Sequence, residues 1–448
     1  MIRPSIRLTR LCGVLAAACL AMPALARCLD DDVILERNIG NVRETVPTTK
    51  PGPRLDINGL VREAVRRSHA IGAAKLLADA AKDDAEEARV AGYPVVNLGG
   101  TVGRLGSQVP NYPDQNGNQA RGAVSVTMPI IDFGRNSRLH EWRSQLAEAA
   151  RLGELSAEEQ IGLQTVSLVL ERGRYRVQAQ VYQQYGRKMA CLAQALETIV
   201  SADKGRASEL VQARKTEQQA ELARVQTEAV VRQIETRLSR FVGDALPADD
   251  AIPNGLLALP ELRQMLDEAE RSNDIAQLSA QAEASDRYAR AVVAGQRPQI
   301  SASITGSKIK GQDEQSSYFA GLSVNIPLYN AGFDSSASAA RKRAEAARLQ
   351  RADALEARKY RMAEVYDQAA TAFDRARRTV GIVRDSDKVR NFTLQQWQQL
   401  GRRSLFDVMS SESEHYNMRI QYVNALYDGQ QSTALLWSMG LGVLSRLQ

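Results

Sequence analysis

The sequence predicts a mainly α-helical chain with a β-barrel contribution. The unit is duplicated, with long antiparallel helices plus two β-hairpins, four strands per chain. Three observations predict this: an internal repeat, four proline-bounded segments alternating with period two, and two long runs almost free of helix breakers.

The repeat is visible at ordered positions. Arg67-Ser68-His69-Ala70-Ile71 is echoed by Arg271-Ser272-Asn273-Asp274-Ile275, an offset of 272 − 68 = 204 that Pro94 and Pro298 keep. Ala123-Val124-Ser125-Val126-Thr127-Met128-Pro129 matches Gly321-Leu322-Ser323-Val324-Asn325-Ile326-Pro327 at 321 − 123 = 198, and Gly134 with Gly332 repeats it. Gly205-Arg206-Ala207-Ser208 answers Gly401-Arg402-Arg403-Ser404 at 401 − 205 = 196. The shrinking offsets mean that the second copy has lost a few loop residues.

Each copy opens with a helix rich in Ala, Glu and Arg, from about Leu55 to Gly92 and from about Leu262 to Gly295, which proline then stops. Alternation follows. Val96, Leu98, Gly100 and Val102 share one face, and Asn97, Gly99, Thr101 and Gly103 the other. After a loop of turn formers, Val124, Val126 and Met128 alternate with Ser125 and Thr127; Ile300, Ala302, Ile304 and Leu322, Val324, Ile326 do the same in the second copy. The predicted hairpins are 95–128 and 299–326. Strands of about ten residues span a bilayer when tilted, with an apolar face for lipid and a small polar face for a wet lumen. On pattern alone, two hairpins of a soluble sheet packed on helices remain the alternative. If the strands do span a membrane, four cannot close a barrel and an open edge cannot sit in lipid, so several chains must share one.

Helical runs follow the hairpins, from Gly134 to Gly205 and from Gly332 to Gly401, each roughly 100 Å long at the rise of an α-helix. Apolar residues recur at three-four spacing, as in Leu163/Val166/Leu170 and Leu192/Leu196/Ile199, which packs helix on helix. Shorter helices return, about Arg206 to Val242 and Leu405 to near the C-terminus. The two shorter helices of a copy together match the long one. This predicts an antiparallel layer with a break at mid-height, where Asp244 to Pro260 crosses between copies. Gly205 and Gly401 supply backbone freedom at the reversals, and Ser208 and Ser404 suit helix starts.

The ends and the composition narrow the function. Arg3, Arg7 and Arg10, the apolar run Leu11–Leu20 and Ala24-Leu25-Ala26 read as a signal peptide over 1–26. Residues 27–54 read as an extended periplasmic segment, 55–258 as the first repeat and 259–448 as the second. Arg27 before Cys28 argues against lipidation. The net charge of +6, from 58 basic and 52 acidic residues mixed along the chain, suggests solvated helix faces and no nucleic-acid footprint. Cys28 and Cys191 form a possible disulfide pair in an oxidising compartment, with two unrelated thiols as the alternative. His69, His140 and His415 have no ligand partner at helical spacing and read as surface helix residues. No phosphate loop, nucleophile elbow or CxxC is present, so no catalytic, cofactor or metal site is expected.

The segment Pro129-Ile130-Ile131-Asp132-Phe133-Gly134-Arg135, with its partner Pro327-Leu328-Tyr329-Asn330-Ala331-Gly332, resembles the strand-to-helix crossing of the TolC-type outer-membrane efflux protein family, which includes type I secretion channels. Gly401-Arg402-Arg403-Ser404-Leu405-Phe406-Asp407-Val408 is similar to that family's turn at the periplasmic tip. The resemblance implies a homotrimer in outer-membrane lipid, with a 12-stranded barrel above an α-helical periplasmic tunnel. It implies docking of a periplasmic adaptor at the tip turns (Gly205, Ser208, Gly401, Ser404) and an inner-membrane ABC or proton-driven pump. Arg403 and Asp407 match tip-gate positions; the family's second aspartate falls on Ser410 here. The weak case for lipidation leans towards the type I branch, and cargo stays open between protein and small molecule. A secreted long-helix scaffold or a periplasmic adaptor protein is the alternative reading.

Overall fold

In the computed structural model, residues 57–107, 115–244, 246, 254–311, 314–400 and 403–447 are described. The first series of elements is α1 (Ile57–Arg67), α2 (His69–Val90), β1 (Val95–Ser107), β2 (Gln115–Ile131), α3 (Arg135–Ala202) and α4 (Ala207–Val242). The second is α5 (Leu262–Ala269), α6 (Asn273–Ala294), β3 (Gln299–Lys310), β4 (Gln315–Asn325), α7 (Phe333–Leu400) and α8 (Leu405–Met439), with a short α9 (Val443–Leu447) closing the chain.

The opening helix of each copy is broken where the sequence suggested continuity. Ser68 takes an extended ψ of 114° and its hydroxyl accepts the N–H of Ile71 at 3.3 Å, capping α2. Ser272, its counterpart, is extended at ψ 147° and donates to the Ala269 carbonyl at 2.8 Å. A serine can offer its own hydroxyl to the backbone at a helix end, so it divides one amphipathic run into two helices. The long helices α3 and α7 are 68 residues each and continuous.

The four strands form one antiparallel sheet in the order β1-β2-β3-β4. They run to 13, 17, 12 and 11 residues, longer than the ten expected. Pairing extends past the apolar stretch into the turn-rich ends. The β2–β3 register slips between Pro129 and Ile131, where proline has no N–H for the ladder.

Below the sheet the helices form a single layer. Next to the strands the lateral order is α2-α3-α6-α7; farther away, α4 replaces α2 and α8 replaces α6 beside the same two long helices. Three clusters hold the layer. One joins Ile57 and Val61 of α1 to Val166 and Leu170 of α3, Leu238 of α4, and Tyr427 and Trp437 of α8. A second packs Met265 of α5 on Met362 and Val365 of α7 and Leu436 of α8. The third, near the far end, gathers Met189, Leu192 and Leu196 of α3 with Leu394 and Trp397 of α7 and Leu405 and Val408 of α8.

Candidate functional site

The sheet carries the first candidate surface, and its register decides the faces. Cross-strand partners share a side of the sheet. The pairing aligns Val96 with Val126, Ile304 and Ala320, and Leu98 with Val124, Gly306 and Tyr318. Met128, Ala302 and Leu322 form another row of that face. Four apolar half-strands thus merge into one continuous wall, with Leu98 83% and Val102 87% exposed. The opposite side aligns Asn97 with Ser125 and Thr305, and Thr127 with Ser303 and Gly321; Phe319 interrupts it. Among the described residues both outer strands, β1 and β4, keep an unpaired edge. No helix among the described residues is long and apolar enough to cross a membrane.

Strand passes into long helix at a built corner. Pro129 sits in β2, Phe133 and Gly134 take left-handed φ values of 52° and 79°, and α3 starts at once. The Asp132 carboxylate accepts the N–H groups of Gly134 at 2.9 Å and Asn136 at 2.8 Å, capping α3 from two residues before Gly134. In the second copy, Pro327 and Gly332 flank the same turn, and Asn330 Oδ1 accepts the Gly332 N–H at 3.0 Å. The Asx residue is the working part of both corners, and reading the sequence for proline and glycine alone passed over it.

At the opposite end of the helices the two reversals differ. Lys204–Arg206 forms a 3-10 turn around Gly205, whose N–H is accepted by Asp203 at 3.0 Å. Ser208, expected as a cap, lies inside α4 as its second residue, and the N-cap position is Arg206. Ser404 does cap α8: its hydroxyl accepts the Asp407 N–H at 3.2 Å, and the Asp407 carboxylate accepts the Ser404 N–H at 3.1 Å. Arg403, at the same turn, donates to Gln396 at 3.3 Å. Gly401 lies outside the described residues.

Residues 60–244 match the family model described as outer membrane efflux protein. Over those residues, less than half of its length, the chain is similar to the outer membrane efflux protein family. Its fold is that of solved channels along most of its length. CusC, in crystal structures of transmembrane channel formation, superposes with a TM-score of 0.78 at 16% identity, over 88% of this chain and 96% of that one. VceC of Vibrio cholerae gives 0.76 at 17% identity over 86% and 96%. The open-state MtrE channel of Neisseria gonorrhoeae gives 0.73 at 14% over 90% and 96%. No curated protein sequence matches the chain. The chain thus shares the fold of these channels, a long helical body carrying one four-stranded sheet.

Within the helical layer, polar residues that looked like surface helix charge are buried together. Glu412 of α8, 1% exposed, lies 3.7 Å from Lys188 of α3 and 3.3 Å from Arg390 of α7. His415, read as a surface residue, is buried one turn on, its Nδ1 3.0 Å from the Ser386 hydroxyl. His140 meets the Ala85 carbonyl at 3.0 Å, and His69 is exposed. No group of metal-ligating side chains occurs among the described residues. Cys191 is disulfide-bonded; Cys28 lies outside the described residues, as does the expected signal peptide.

Proposed function

We propose that three copies of this chain close one 12-stranded barrel over an α-helical tunnel, a passive export duct opened by a periplasmic adaptor and an inner-membrane pump. One observation carries the reading: the described subunit ends in two unlike edges, each with an open strand and a helix beside it. One edge is β1, α2 and α4; the other is β4 and α7. A heterologous head-to-tail contact closes into a ring, satisfying both open strand edges at once.

Apolar residues left exposed on these edges support it. Leu349, Tyr360, Ile382, Val389 and Phe392 of α7 are exposed, and at 3.6 residues per turn they fall within about 80° of arc. Val211, Leu222 and Val225 of α4 make a comparable stripe, and Leu76 and Leu77 project from α2. Around the barrel, the apolar wall would face lipid and the Asn97/Ser125/Thr305 side the lumen. The adaptor would dock at the tip turns, beside the cleft lined by Gln212, Thr216, Phe406, Met409 and Ser410. Asp407 and Arg403 would set the bore there, Asp407 while also capping α8.

Cysteines placed at paired heights on β1 and β4 should cross-link into a trimer ladder, and purified protein should conduct in planar bilayers. A monomer that needs only salt to leave the membrane would overturn the duct and favour a periplasmic scaffold. Deleting the gene separates the cargo classes: retention of a secreted protein marks type I export, and sensitisation to small toxic compounds marks efflux.

A further inference from the structure

The apolar wall of the sheet does not stay apolar to its loop end. Beyond the row of Leu98, Val124 and Tyr318 the same face continues with Lys308, paired to Gly122 and Ser316. Lys310 comes next, in line with Ala120 and Val102, and Arg104 follows two residues beyond Val102. Of the four described strand cations, three lie on this side and at this end. Arg121 alone faces the other way, in line with Thr101 and Ile309. Lys308 has an exposed ion pair with Glu314 at 3.5 Å, and no acidic residue stands among the described strand residues of the wall.

The spacing gives this rim a depth. Ile300 to Lys310 on β3 covers about 34 Å of strand, or about 26 Å along the membrane normal at a tilt near 40°. That is the height of a barrel's apolar band, so when Ile300 sits at the periplasmic boundary Lys310 sits at the outer one. Tyr318, 92% exposed just below Lys308, occupies the level where aromatic girdles anchor a barrel. A lipid-facing cation is costly at mid-membrane and tolerated at the boundary, where it can meet a headgroup.

We propose that Arg104, Lys308 and Lys310 form a binding site for a lipid of the outer leaflet whose headgroup carries phosphate. Its acyl chains would lie on the Val102/Leu98/Val124 wall beneath. Charge-assisted hydrogen bonds to phosphate oxygens supply the attraction, and the apolar wall excludes water from the chains. The inference rests on the barrel orientation proposed above.

The full-length channel, purified in detergent, is incubated with bisphosphorylated lipid A or its fully dephosphorylated form, and bound lipid is counted by native mass spectrometry. The bisphosphorylated form should be retained about tenfold better, and Arg104→Gln/Lys308→Gln/Lys310→Gln should abolish the difference, as expected for lost hydrogen bonds to charged groups. The single change Lys310→Gln, the gentler variant should the triple one misassemble, should cost about threefold, and Arg121→Gln on the opposite face should change nothing. Equal retention of the two lipids, or an Arg121→Gln loss as large as that at Lys310, would overturn the site. Orientation is read separately: Gln315→Cys should react with an impermeant maleimide on intact cells. Failure there removes the orientation, whatever lipid binds in detergent.

Discussion

Helices α3 and α7 are the same element twice, 68 residues each after equivalent crossings, yet they live in different surroundings. The first has neighbours on both sides at every height: α2 or α4 on one, α6 or α8 on the other. The second packs on α5, α6 and α8, all on one side, and leaves Tyr360, Ile382, Val389 and Phe392 exposed. The pair also works on shared targets. Lys188 of α3 and Arg390 of α7 both approach Glu412. Glu159 of α3 accepts the Val443 N–H at 2.7 Å, while Arg358 of α7 donates to the Met439 carbonyl at 3.2 Å and also binds Asp274. At this shared C-terminal turn Gly442 has φ 106°, and a side chain there would run into the Glu159 carboxylate. Duplication supplies two copies of a helix; their places in the layer divide the labour, one as the inner pillar and the other as the edge.

The largest effect should come from removing what the two helices share. Glu412→Ala leaves Lys188 and Arg390 buried without this carboxylate and should cost about 3–5 kcal/mol. A fall in the denaturant midpoint reports it, and no change would mean that α3 and α7 are not coupled through α8. Next comes the edge. Val389→Asp with Phe392→Asp should release trimers to monomers on native gels, since each apolar side chain buried there contributes about 1.5–3 kcal/mol. Persisting trimers would mean that α7 is not the joining edge.

The two reversals should separate by less. Ser404→Ala breaks a reciprocal cap and should cost about 1 kcal/mol, whereas Asp203→Ala, which frees one N–H at an exposed turn, should cost about half that. Hydrogen exchange of the first turns of α8 and α4 distinguishes them, and equal protection losses would erase the difference drawn between the tips.

The smallest effect concerns the C-terminal turn. Burial pushes the Glu159 carboxyl above its ordinary 4.5, against the backbone N–H groups of Val443 and Leu444 that pull it down. A raised carboxyl pKa means the folded chain holds its proton more tightly than the unfolded one, so this group's contribution declines as pH rises from 4.5 through the raised value. Glu159→Gln should therefore gain on the parent between pH 4 and pH 7 in thermal melts. A gap that narrows over that window would refute the assignment.

The parts legible in the sequence were those governed by neighbours in the chain. Alternation in Val96–Val102 and Val124–Met128 needs only local chemistry, as do the prolines and glycines at the crossings and the Ser404 start of α8. The break at Ser68 was missed because a serine within an Ala-rich amphipathic run is equally compatible with a continuing helix. Asp203 outcompeted Ser208 for the first tip because the 3-10 turn shifts the helix start. His415, Lys188, Arg390 and Glu412 looked like solvated helix residues, because helical spacing reveals a stripe and says nothing of a neighbour two hundred residues away.

By itself the sequence determined the duplication, the four alternating strands and the two long helices, since each is written in offsets, periods and breakers along one stretch of chain. Tertiary structure decided the rest: the register that merges four half-apolar strands into one wall, the burial of ionic groups around Glu412, and which repeat became pillar or edge. The physical reason is that periodicity fixes the direction in which a side chain leaves its own element. What it meets depends on the packing of elements distant in sequence, and a local pattern carries no record of that.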